Sequence, residues 1–215
     1  MAGNDLTRLV QALSDLTPPS ADGEAIADLR RALTALPADQ KTTVRAVLGR
    51  LDRAASGPLH VHGGLSALLA ADRFGLGFER VAKAEDGLKQ AAAGARVLMD
   101  LAGVTAWWGR LLATPDVRVI GALPDTAARL PQALMIGRGT PEPTGDDRTF
   151  WVTDSPLPET RLVEVLGLNG LAAAPLIATG GLKLMMIAGY VQADDGRLDG
   201  LPGTLTGVIG AAPLF

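Results

Sequence analysis

Gly180-Gly181 interrupts an otherwise apolar stretch, leaving Leu171–Ala178 on one side and Leu182–Val191 on the other. Few folds accommodate that pattern. Two-residue hairpin turns need positive φ at their central positions, and glycine supplies it without steric cost. A membrane helix is the alternative, since about 20 apolar residues suffice to cross a bilayer. Pro175, the glycine pair and Lys183 speak against it, because a lysine at the bilayer centre costs about 2.5–3.5 kcal/mol. The stretch therefore reads as two antiparallel strands. Their near-continuous apolar character predicts burial on both faces, in the middle of a sheet, with Lys183 reaching solvent at the sheet end.

With 215 residues, 47% of them hydrophobic, the chain has enough apolar side chain for a sizeable core. A net charge of −3 offers no basic surface for nucleic acid. The chain has no cysteine, which removes disulfides, thiolate metal sites and cysteine nucleophiles. The N-terminus lacks the basic and apolar regions of a secretory signal, so a cytoplasmic protein without a membrane partner is expected.

Residues 1–83 read as a helical N-terminal segment serving dimerisation or signal transfer. Three amphipathic helices fall within 1–56. The first carries Leu6, Leu9, Val10, Leu13 and Leu16, the second Ile26, Leu29, Leu33 and Leu36, the third Val44, Val47, Leu48 and Leu51. Leu59–Phe78 fits no single period. A further helix is expected over Ala84–Leu101. Val104–Ala113 and Val117–Leu123 then read as strands joined at Thr114-Pro115-Asp116, Ala127–Leu134 as a short helical turn, and Gly137–Thr140 as a loop. Phe150–Val152 reads as a strand and Pro158–Leu166 as a helix before the glycine hairpin. Leu201–Phe215, with Pro202, Gly203, Gly207 and Gly210, is a poor helix.

This order, with Val152-Thr153-Asp154, Leu162–Leu166, Gly167-Leu168, Pro175-Leu176, Gly180-Gly181 and Leu184–Tyr190, resembles the GAF domain, a sensory module. The resemblance covers about residues 84–191. It implies an α+β fold, an antiparallel sheet backed by helices, over a domain of residues 84–215, and a regulatory role. The cysteines that bilin-binding and sulfoxide-reducing members use are absent, and the cyclic-nucleotide residue set is not apparent.

Candidate chemistry is sparse. His60 and His62 would share one face of a strand but lack a nearby carboxylate, so no metal site follows. Trp107 and Trp108, adjacent on an expected strand, would face opposite sides. Trp107 would then pack under the helices, and Trp108 would join Trp151 in walling a pocket on the sheet face opposite the helix at 84–101. Arg138, flanked by Gly137 and Gly139, could meet an anionic group through its guanidinium and neighbouring amides, and Asp154 could orient the ligand. The expectation is a non-enzymatic sensory or regulatory module, a homodimer through its N-terminal helices, binding a small molecule or partner protein at Trp108, Arg138, Trp151 and Asp154. The alternatives are a scaffold protein with no pocket and an enzyme with an unrecognised site.

Overall fold

The structure is a computed structural model describing residues 36–103 and 105–215, with the backbone alone for Ala38 and Asp39. Of the three N-terminal helices expected, the first two lie outside the described residues. The third is α1, Ala38–Ala55.

Among the described residues nine strands form one mixed sheet: β1 Leu59–His62, β2 Glu79–Arg80, β3 Arg96–Asp100, β4 Val117–Leu123, β5 Ala133–Arg138, β6 Asp147–Thr153, β7 Ala173–Thr179, β8 Leu182–Ala188 and β9 Thr206–Pro213. Their spatial order is β2-β1-β3-β5-β4-β9-β6-β8-β7. Helices α2 Gly64–Phe74, α3 Ala84–Ala92 and α4 Glu159–Leu168 pack on it. The fold is α+β, but the sheet is not antiparallel throughout: β1 runs parallel to both β2 and β3, and β4 parallel to β9. Among the described residues no helix is long and apolar enough to cross a membrane.

Strand alternation sorts the core by face. Val97 and Met99 of β3, with Phe150 and Val152 of β6, belong to one cluster that also takes in Ala84 and Ala91 of α3. Leu98 points the other way and joins Leu59, Val61 and the α2 residues Ala67, Ala70 and Phe74. Trp151 and Met185 share that second side, where Leu162 and Leu166 of α4 cover them. Hence α2 and α4 lie on one face and α3 on the other. α1 stacks outside α2, where Arg73 of α2 donates to the carbonyl of Arg45.

The predicted hairpin is present. Gly180 and Gly181 have φ of 59° and 77° and join β7 to β8, as the two positive angles of a primed turn require. Its placement is corrected: β7 is the edge of the sheet, not its middle. Its residues are mostly half-buried, so the apolar run reflected two partly covered faces rather than two sealed ones. Lys183 bends back to donate from Nζ to the carbonyl of Ser155 at 2.5 Å.

Other expectations are also corrected. The helix expected over Ala84–Leu101 ends at Ala92, and Gly94, at φ 103°, turns the chain into β3. The stretch up to residue 83, expected as helical, contributes β1 and β2 to the sheet. Val104–Ala113 holds no strand among its described residues. Trp107–Ala113 is a 3-10 helix instead. Ala127–Leu134 leads into β5.

Leu201–Phe215, a poor helix on propensity, supplies β9. This strand lies between β4 and β6 and joins the two halves of the sheet. Gly210 makes the junction possible. A Cβ there would stand 2.3 Å from the carbonyl oxygen of Val119, and its φ of 140° suits glycine. From β6 onward the order of connection is β6-α4-β7-β8-β9, and the spatial order is β9-β6-β8-β7. That is a split β-α-β arrangement in which a loop with a short 3-10 turn, Gly196–Leu198, replaces the second helix.

Candidate functional site

The four residues singled out in the sequence do not converge. Trp108 is fully buried in the cluster beneath α3. Trp151 is 1% exposed and lies on the opposite face under α4. The expected register placed Trp107 and Trp108 on opposite sides. The 3-10 helix instead turns both indoles into the same cluster. Trp107 donates its Nε1–H to the carbonyl of Asp100 at 2.7 Å, whereas the buried Nε1 of Trp108 has no partner among the described residues. The sheet separates Trp108 from Trp151, so they cannot wall one pocket.

Asp154 follows β6 and is a loop anchor. Its carboxylate accepts from the amides of Thr204 at 2.7 Å and Leu205 at 2.9 Å, and from the Thr204 hydroxyl at 2.6 Å. The Thr204 hydroxyl foremost, then the Leu205 amide, holds its pKa below the usual carboxylate value, since these donors favour the ionised form. Arg138 closes β5, which β4 and β9 separate from β6. With three strand spacings of about 4.8 Å between β5 and β6, Arg138 and Asp154 lie at least about 14 Å apart.

Other carboxylates are committed in the same way. Asp100, at the end of β3, accepts from the first-turn amides of Leu65, at 3.2 Å, and Ser66 in α2, where the helix dipole favours an anion. Asp147 is buried and accepts from the amide and hydroxyl of Thr144 and the amide of Gly145. His60 and His62 occupy alternate positions of β1. His60 Nδ1 lies 3.6 Å from an oxygen of Glu79, and His62 Nδ1 lies 3.2 Å from the carbonyl of Val81. Among the described residues no three histidine or acidic side chains are grouped to hold a metal.

One expectation gains a setting. Arg138 lines an open groove of about 420 Å³ with Pro115, Asp116, Gly139 and Thr140. The β4–β5 ladder creates it by pairing Val117 with Arg138, which brings the entry to β4 beside the exit from β5. Gly139 has φ of 109°, and nothing approaches the position a Cβ would occupy. Arg138, Asp116, Thr140 and the open backbone at Gly139 therefore line one groove. Asp116 escaped the sequence reading because it looked like part of a turn. Knowledge of the β4–β5 register alone would have revealed it.

No protein-family model and no curated protein matches the chain. Among solved structures it is similar to GqqA, described as a novel type of quorum quenching acylase, at 16% identity over 73% of this chain and 95% of that one, with a TM-score of 0.48. It is also similar to a prephenate dehydratase from Streptococcus mutans, at 10% identity over 74% of this chain and 100% of that one, with a TM-score of 0.42. Likenesses this distant assign neither family nor activity.

Proposed function

We propose that the protein is a non-enzymatic regulatory module that binds a small polar molecule in the groove beside Arg138. The observation that carries this reading is the groove itself, about 420 Å³ in volume and lined by Asp116, Arg138 and Thr140. That volume lies within the usual range of small-molecule sites, roughly 300–1,000 Å³. A non-catalytic role fits the employment of the carboxylates: Asp100, Asp147 and Asp154 each accept backbone amides that hold loops and a helix start. A sensory role is also what the GAF resemblance implies. On this reading, helices drawn from residues 1–56 join two copies of the chain.

An amide-resolved NMR screen of small polar compounds tests the site. Saturable shifts confined to residues 116–117 and 137–140, abolished by Arg138→Ala, are the expected outcome. Compounds that bind elsewhere and leave these amides unmoved would sink the groove reading. Light scattering tests the dimer, and a monomer at roughly tens of micromolar refutes it, since a specific interface of standard size holds at that concentration.

The scaffold reading has its own support in the enclosure of Trp108 and Trp151. Under it the groove binds nothing, and the same screen returns no shift at residues 137–140.

A further inference from the structure

We infer that the groove takes a dipolar molecule bearing a carboxylate and an ammonium on a short chain, an inference that rests on the reading of the groove as a ligand site. Asp116 and Arg138 line it together, and both side chains are exposed. Arg138 pairs with Val117 across the ladder, so Asp116 stands one residue from Arg138's direct neighbour. Opposite charges that line one groove commonly close into an ion pair. Arg96 with Asp52, Arg110 with Glu85 and Arg197 with Asp195 do so in this protein. Asp116 and Arg138 pair neither with each other nor with any other described residue.

Two unpaired charges of opposite sign on one concave surface set the ligand's chemistry. A guanidinium presents a planar fork that matches a carboxylate, and a carboxylate accepts the donors of an ammonium. A simple anion gains from Arg138 but is repelled by Asp116, and a simple cation meets the reverse. A molecule with both charges gains at each end. Gly139 keeps the wall open, because no atom of the described residues lies within 4 Å of where its Cβ would be. Thr140 adds a hydroxyl that can donate or accept. Because the charged groups are exposed and solvent screens them, affinity is expected in about the millimolar range.

The test is an amide NMR titration of the full chain with β-alanine and aminocaproate as dipolar probes, and with propionate and propylammonium as single-charge controls. At least one dipolar probe should shift Asp116, Gly139 and Thr140 saturably. Each control should bind at least about tenfold more weakly, a difference equivalent to one unit in log Kd. Asp116→Asn should reduce the dipolar probe to the affinity of propionate, and Arg138→Gln to that of propylammonium. Unchanged amide positions away from the groove confirm that both variants fold. Should propionate bind as well as the dipolar probes, with Asp116→Asn silent, the dipolar inference falls and the groove remains a ligand site. Absence of saturable shifts with all four probes overturns both readings.

Discussion

Arg73 of α2 and Asp125, in the turn after β4, form a buried ion pair, with Nε 2.9 Å from Oδ2 and side-chain exposures of 9% and 6%. The pair ties the outer helical layer to the sheet. Arg45 of α1 reaches the second oxygen of the same carboxylate, and the ring of Phe215 lies 5.3 Å from the Arg73 guanidinium. Asp125→Ala would leave two arginines without their shared anion. A loss of about 3–5 kcal/mol in urea unfolding is expected, because breaking a buried pair strands a charge. Replacing both partners, as in Arg73→Met with Asp125→Leu, should cost less than the single change.

Desolvation first, and then the charge of Arg45, pushes the Arg73 pKa down to about 10. A cation whose pKa falls on folding is one the fold disfavours in its charged form. That penalty holds below about 10 and eases as pH climbs through that value. Between roughly pH 10 and 12, Arg73→Met should therefore flatten the upward slope of stability that this group contributes to the parent protein.

For Asp154 the sign reverses. Its folded pKa lies below the ordinary carboxylate value, so its contribution is present above that value and is lost as pH falls through the depressed one. The amides of Thr204 and Leu205 should be protected from hydrogen exchange near neutrality and should lose that protection in strong acid. Asp154→Asn should expose both amides at neutral pH by about tenfold, the scale of one net hydrogen bond, and should abolish their acid dependence. Equal protection in parent and variant would contradict the anchoring role.

The two adjacent indoles offer a differential test. Trp107→Phe removes a donor to the Asp100 carbonyl, leaving that acceptor short of its bond, whereas Trp108→Phe removes a buried N–H that has no partner among the described residues. Both create space, but the first also forfeits a hydrogen bond. Trp107→Phe is expected to be the more destabilising by about 1 kcal/mol, read from the shift in denaturation midpoint at constant slope.

Gly210→Ala addresses the join between the halves. The added methyl would collide with the Val119 backbone, whose carbonyl oxygen it would approach to 2.3 Å, at a φ of 140°. A loss of about 2–4 kcal/mol is expected from strain and displacement together, measurable by chemical denaturation. A silent substitution would mean that β4 and β9 can separate freely.

Much of the fold was legible where one periodicity ruled alone. The Gly180-Gly181 turn, the Leu162 and Leu166 face of α4, and strands β4 and β6 all follow from local pattern. β3 was hidden because Ala91, Ala95 and Leu98 keep helical spacing across Gly94, whose φ of 103° ends the helical path. The Trp107-Trp108 stretch was misread because a short aromatic run satisfies strand propensity as readily as a tight helical turn. β9 was illegible for a different reason. Its glycines argue against any regular element on their own, and only the close approach of Val119 explains Gly210. At the groove, Arg138 was visible through its flanking glycines, while Asp116 required a cross-strand register that local sequence does not carry.

The position of β9 also bears on how the chain is made. A ribosome delivers β4 and β6 well before residues 206–213, and β4 and β6 have no ladder between them in the finished sheet. Until β9 emerges, each half presents an open row of amides and carbonyls toward the gap that β9 will fill, a template for misplaced pairing during synthesis. Closure of the whole sheet therefore waits on residues 206–213, and a chain lacking them would hold two half-sheets with their inner edges bare.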